Sequence, residues 1–508
     1  MLSKILGIFK SSKKDKKEDD CTPGNRLKEF NVFSSLDKNI EFLKSILSKS
    51  EDIVYRQIET NENRYALVYI SGLVDRNLIE NQILKPLMDL RLQSLLTDLS
   101  DLMDNLITVS DISKESNFFN LINNLLSGET LLFCDGISDA LVVNSKGGEK
   151  RGIEEPFSEQ GVRSPRESFT ENIEDNITLI RRRIKDTNLV VKFYSLGERT
   201  QTKTALIYLA DNAPEHVITE VQERIKSVNV EGLVASANLE QIIENHKWSI
   251  FPQIMSTELP DRVVKCILDG RVAIVVEGSP YNLVVPGTLA MFFNSGDDYY
   301  ERTIPASLIR ISRYISFFFA TTLPAIYSAL TAYHPGMLPT SLVLYITGTR
   351  IGLPLPSVIE MFFMLFTLEI LLEAAIRLPK PIAQTVGIVG GLVIGQSAVQ
   401  AGLVSPLVVI IISFTAISSF TLPYYNFAMV SRSLRVFLLI GASLFGLLGV
   451  VVLWILIIIH VASIETFGVR YLQDFFSFKK EKVKDTFLKV PYELLGGKQE
   501  ALKDEDKK

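Results

Sequence analysis

The spacing of apolar residues divides the chain in two. Over the first 300 residues they come in short runs of β-formers, such as Ala66-Leu-Val-Tyr-Ile and Val272-Ala-Ile-Val-Val, set between segments of helical spacing and charged loops. From Thr303 to Glu465 they are almost continuous. Arg310, Arg313, Arg350, Glu360, Glu369, Glu373, Arg377, Lys380, Arg432, Arg435 and Glu465 are the only charged residues of that block. Runs of roughly 20 apolar residues are long enough to cross a bilayer as helices. The pattern predicts an α/β soluble N-terminal region followed by an all-α polytopic transmembrane domain.

The soluble part repeats itself. Ala66-Leu-Val-Tyr-Ile-Ser matches Ala205-Leu-Ile-Tyr-Leu-Ala at an offset of 139, and Leu132-Phe-Cys-Asp-Gly matches Ile274-Val-Val-Glu-Gly at an offset of 142. Each copy reads as two strands, a helical segment (Arg76 to Leu90, then Pro214 to Val228), further helices and a hairpin, so two related subdomains are expected. In the second hairpin Glu277-Gly-Ser-Pro supplies the turn. A polar linker, Asn144 to Phe169, joins the copies. Ser168 and Glu171 are spaced as a capping box ahead of a helix with Ile173, Ile177, Ile180 and Ile184 on one stripe. Its Arg181-Arg-Arg triplet reads as a solvated face, or else as a contact for lipid headgroups or a neighbouring subunit.

In the apolar block the candidate spans are 311–333, 357–376, 382–404, 406–426 and 434–462. Leu338 to Pro356 is too short and too broken by Gly and Pro, and reads as re-entrant or interfacial. The basic turns at Arg377/Lys380 and Arg432/Arg435 and the tail at Lys479, Lys480, Lys482 and Lys484 all ask for the cytoplasmic side. Five crossings cannot satisfy them together, so the expectation is four to six, with both ends inside. The expected domains are a basic tail (1–29), α/β subdomain 1 (30–150), a linker, helix and subdomain 2 (151–300), the transmembrane domain (301–465) and a C-terminal tail (466–508).

Two features of this block are candidates for function. In 382–404, Ala383, Gly387, Gly391 and Gly395 recur every fourth residue, a small-residue stripe for close helix packing. At 100° per residue Val389, Val393, Gln396 and Gln400 fall nearly opposite. They form a candidate pore lining, with valines as constriction and glutamines as uncharged ion ligands; the alternative is a packed bundle helix whose glutamines bond to neighbours. In 357–376, Glu369, Glu373 and Arg377 share one face. Glu373 and Arg377 can pair at i, i+4, which leaves Glu369 with no partner in its own helix. A structural ion pair and a cation-attracting vestibule or proton relay are the two readings.

Composition narrows the rest. A net charge of −5 gives no footprint for nucleic acid. Leu2, Ile5, Leu6 and Phe9 precede five lysines, a disordered basic tail or a weak interfacial anchor. Cys21, Cys134 and Cys266 show no paired spacing, and His216, His246, His334 and His460 are scattered. No phosphate loop, nucleophile elbow or metal-ligand motif is present, so neither an enzyme nor a cofactor is expected.

Three segments carry a family resemblance: EEPFSEQGVRSPRESFTENIEDNITLIRRRIKDTNL (154–189), LPDRVVKCILDGRVAIVVEGSPYNLVVPGTLAMFFNSGDDYYER (259–302) and RLPKPIAQTVGIVGGLVIGQSAVQAGLVSP (377–406). They resemble the spore germinant receptor A-subunit family. The resemblance implies a multi-pass protein of the spore inner membrane, with its soluble region and tail cytoplasmic. It would act beside a permease-like B subunit that binds the nutrient and a lipoprotein C subunit. It also implies a homo-oligomer of A subunits forming a nutrient-gated ion channel. A secondary transporter and a non-conducting scaffold for the permease-like partner are the alternatives.

Overall fold

The computed structural model describes residues 29–47, 50–60, 63–88, 109, 111–147, 156, 159, 161, 163–379, 391, 393, 395–476 and 486–489. The chain forms two compact units, residues 1–151 with 181–189 and residues 152–180 with 190–508.

The first unit is a five-stranded sheet in the order β1-β2-β4-β5-β3. Its strands are β1 (Ile53–Glu59), β2 (Arg64–Ile70), β3 (Ile112–Glu115), β4 (Thr130–Cys134) and β5 (Ala140–Val143). Strand alternation sorts the apolar residues onto two faces. Val68, Leu131 and Phe133 pack on one face against helices α1 (Leu36–Leu47) and α2 (Phe118–Leu126). Leu67, Leu132 and Leu141 pack on the other against Ile79, Ile83 and Leu87. These last belong to a helical stretch, Arg76–Met88, whose middle is wound as a π-helix. Both faces are therefore covered, and β4 and β5 are buried along their whole length.

The second unit contains the same sheet again, in the order β6-β7-β9-β10-β8. The strands are β6 (Leu189–Leu196), β7 (Thr202–Leu209), β8 (Met255–Thr257), β9 (Val272–Val276) and β10 (Asn282–Val285). The register repeats as well. Ala66 faces Phe133 and Leu132 faces Leu141 in the first sheet; Ala205 faces Val275 and Ile274 faces Leu283 in the second. Helices α3 (Ile173–Arg183), α4 (Glu215–Ser227), α5 (Ser236–Ile243) and α6 (Pro260–Leu268) accompany it. Val217, Val221, Ile225, Leu239 and Ile243 fill its core.

A hydrogen-bonding device is duplicated too. Asn39 of α1 is fully buried; its Nδ2 donates to the Phe33 carbonyl (2.7 Å) and its Oδ1 accepts the Phe33 amide (2.8 Å). Asn176 of α3, equally buried, holds Thr170 in the same way at 2.7 and 2.8 Å. Asp135 accepts the Leu36 amide at the start of α1, and Glu277 accepts the Ile173 amide at the start of α3. Each buried amide has both ends satisfied, which spares it the desolvation penalty of an unpaired polar group.

Two local expectations are corrected. The start of α3 is capped by Asn172, whose Oδ1 accepts the Glu174 amide at 2.8 Å, rather than by Ser168. Asn competes as well as Ser for this position. Arg181 is buried and holds Asp52 through Nε and Nη2 at 2.8 and 2.9 Å, so the basic triplet is not simply a solvated face.

Further along the second unit come the helices α7 (Thr303–Ala332), α8 (Thr340–Arg350), α9 (Ser357–Arg377), α10 (Gly395–Gln400), α11 (Pro406–Phe420) and α12 (Tyr425–Ser463). Among the described residues α7 and α12 are long and apolar enough to cross a membrane. A straight helix of 39 residues would extend about 58 Å, twice a bilayer's hydrocarbon core of about 30 Å. It is not straight. At Gly446 the backbone leaves the helical region, with φ 62° and ψ −141°, and the chain doubles back.

The contacts fix the directions of the two arms. Phe427 stacks on Phe317 (5.2 Å), Arg435 Nε donates to the Ala320 carbonyl (2.7 Å) and the Tyr333 hydroxyl donates to the Ser443 carbonyl. The first arm thus climbs beside α7. The second arm descends: Trp454 Nε1 donates to Thr322 (3.1 Å), and His460 returns to Ser249 beside the second sheet (3.0 Å). The span expected at 434–462 is therefore a helical hairpin of two arms, about 30 and 25 Å long at 1.5 Å per residue. Only glycine suits the bend, because its φ is positive and a Cβ would lie 2.8 Å from the His334 ring.

Beyond Gly446 the chain returns to the sheet. A two-stranded turn, β11 (Glu465–Thr466) with β12 (Val469–Arg470), inserts Phe467 and Val469 into the second sheet's core.

Candidate functional site

The helices carry polar groups at three levels. At the sheet end, Asp298 Oδ2 receives Arg313 Nη1 at 2.6 Å and Arg310 Nε at 3.3 Å, and Arg310 is wholly buried. At the opposite end Glu360, also wholly buried, pairs with Arg350 (3.0 Å) and accepts the Ser405 amide (3.1 Å) at the entrance to α11. Arg350 comes from α8. At 11 residues this helix extends about 16 Å, too short to cross.

Between these levels lies the least satisfied group. Glu369 of α9 faces two arginines of the first arm of α12, Arg432 at 3.7 Å and Arg435 at 3.8 Å. Arg435 is 1% exposed, yet Nη1 and Nη2 have no hydrogen-bond partner among the described residues. An ion pair in an apolar bundle recovers its desolvation cost only with close geometry and full hydrogen bonding. This one has neither, so it holds α9 to α12 less firmly than its charges suggest.

Sequence spacing left Glu369 without a partner because the arginines lie more than 60 positions away, and it read them as topology charges. The available signal was physical: a carboxylate inside an apolar block needs an opposite charge from another helix. Glu373 and Arg377 pair with each other on the surface at 2.6 Å.

The glycine-stripe segment is partly visible. Ala383, Gly387 and Val389 lie outside the described residues. Gly395 is buried, and a Cβ there would sit 3.5 Å from Val409 of α11, whereas Gly391 faces open space. Val393, Gln396 and Gln400 are all exposed, while Ala398, between the glutamines, is buried. The described part of this segment therefore turns Gly395 and Ala398 inward and its glutamines outward, while Gly391 of the stripe is exposed.

The profile of the family described as Bacillus/Clostridium GerA spore germination protein matches residues 41–500. The chain belongs to the GerA family of spore germination proteins. Among its relatives, Spore germination protein B1 of Bacillus subtilis (strain 168) is 38% identical over 462 residues, covering 91% of this chain and 95% of that protein. The uncharacterized membrane protein YfkQ of the same organism is 37% identical, covering 91% and 90%. The crystal structure of the N-terminal domain of the A subunit of the Bacillus megaterium spore germinant receptor GerK3 aligns with half of this chain and 96% of its own, at 30% identity and a TM-score of 0.41. GerA membership gives the chain a role in spore germination.

Proposed function

We propose that this GerA-family chain is the A subunit of a nutrient-sensing germination receptor and forms, with further copies, a ligand-gated ion channel in the spore inner membrane. A permease-like B subunit and a lipoprotein C subunit would be its partners. We read α7, α9, the chain between Arg377 and Ser405, α11 and the two arms of α12 as six crossings. The bend at Gly446 supports this count, because an even number returns the C-terminal end to the side of the sheets and gives every basic turn the same side. The relative YfkQ is named a membrane protein, in keeping with this count.

One observation carries the channel reading. Gln396 and Gln400 are exposed on a helix whose Gly395 and Ala398 are buried. Amides facing lipid would lose their hydrogen bonds to water with nothing in return. Facing a water-filled axis shared by several copies, with Val389 and Val393 as a constriction, they keep them. The loose Glu369–Arg435 contact supplies a helix-to-helix joint that a nutrient signal can shift. Moving such a gate from 1:99 to 99:1 takes about 5.5 kcal/mol, a demand that several subunits can share.

The test is conductance of the purified full-length protein in planar bilayers. Unitary current steps are expected, and Val393→Lys should change their size or ion selectivity. Unchanged currents from an intact V393K assembly would overturn the pore assignment. Saturable coupled uptake without current steps would favour a transporter, and neither signal would leave a scaffold.

A further inference from the structure

The turn between α5 and β8 has a rigid base and a bare tip. Gln253, fully buried, accepts the His246 amide and donates to the His246 carbonyl, both at 2.9 Å. Ser249 N donates to the same carbonyl at 3.0 Å, and Phe251 is buried beside the Tyr471 ring. On this fixed frame Trp248 is 99% exposed and Ile250 is 39% exposed. A tryptophan offers one of the largest apolar surfaces of any side chain. Holding one in water on an immobile turn wastes that surface unless something covers it.

The position of the turn says what covers it. Ser249 Oγ lies 3.0 Å from His460 Nε2, in the last turn of α12. Just before His460 the same arm exposes Ile455, Leu456, Ile458 and Ile459, each more than half bare. Trp248 thus stands where an apolar helix face ends. If that face meets hydrocarbon, the tip meets the headgroup layer, where tryptophan is enriched because its ring is apolar and its N–H polar. Lys247, exposed next to it, adds the charge that an anionic leaflet attracts.

We infer that Trp248, with Ile250 and Lys247, is a lipid-interface anchor that seats the second sheet on the bilayer headgroups. The inference rests on reading α12 as membrane-spanning. Full-length protein in nanodiscs of phosphatidylethanolamine and phosphatidylglycerol tests it, since the chain has two tryptophans, Trp248 and Trp454. In Trp454→Phe the emission of Trp248 should be blue-shifted, shielded from acrylamide, and quenched more by lipids brominated near the headgroups than by those brominated near the chain ends. Emission as accessible to acrylamide as free indole overturns the anchor. So does a shielded emission that no brominated lipid quenches, which means that protein covers the ring. Should W454F not fold, the difference between wild type and Trp248→Phe reports the same residue. In W248F, quenching of Trp454 by deeply brominated lipid reports whether α12 spans. Its failure removes the membrane reading itself, whereas quenching of Trp454 without that of Trp248 removes only the anchor.

Discussion

The two sheets share strand order, register and even the buried asparagine that closes each first helix, but they differ in what surrounds them. The first is covered, among the described residues, by α1, α2 and the Arg76–Met88 helix. The second takes part of its core from the far end of the chain, through Phe467 and Val469. It is also followed directly by Phe292 and Phe293, which pack on Phe427 at the foot of α12 at 5.9 and 4.9 Å. The duplication supplied a fold, and the features by which the second copy departs from the first are those that bind it to the helices.

The strongest way to break this comparison is to empty each core in turn. Phe118→Ala and Phe467→Ala each remove a fully buried ring and should each cost about 3–5 kcal/mol. Their reach should differ in hydrogen exchange of the full-length protein. F118A is expected to raise exchange within residues 29–147, and F467A across β6–β10 and the second arm of α12. Equal loosening of both sheets by F118A would mean that the two units unfold as one.

A milder comparison uses the shared asparagines. Asn39→Ala and Asn176→Ala each strand a backbone amide and a carbonyl, at a cost of about 1–3 kcal/mol apiece. Matched drops in protection, each confined to its own sheet, are expected. A silent N176A would show that the duplicated device has lost its role in the copy joined to the helices.

The smallest effect is a pH dependence within the second unit. Burial, and then the neighbouring Glu244, push the Glu240 carboxyl up to about 7. The folded state therefore keeps a proton that the unfolded chain releases above the ordinary carboxylate range. Stability contributed at this site is highest in mild acid and is lost as pH rises through about 7. Glu240→Gln should flatten the fall in unfolding temperature between about pH 5 and pH 8; an unaltered slope would assign it to another group.

Much of the sheet-rich fold was legible because strands declare themselves locally. An apolar run of β-formers before Asp135-Gly or Glu277-Gly fixes a hairpin, and a constant offset exposes the duplication. Asn39 and Asn176 escaped, since a polar residue in a helical segment reads as solvent-facing until its partner six positions back is seen. Gly446 escaped for a different reason. It sits in an unbroken apolar run, where hydropathy registers length but is blind to direction. At the candidate site, helical spacing placed Gln396 and Gln400 on one face but could not pair Glu369 with arginines on a helix far along the chain.

Asp298, on which the arginines of α7 rest, lies in the short helix Gly296–Tyr299 that follows the second sheet, and the core of that sheet receives Phe467 and Val469 from the turn after α12. The bundle is therefore mounted on a single plate at its entry and its exit. A body fixed at two points transmits torque, where one hung from a single tether swivels freely. Any tilt of the helices would therefore load the sheet at both points.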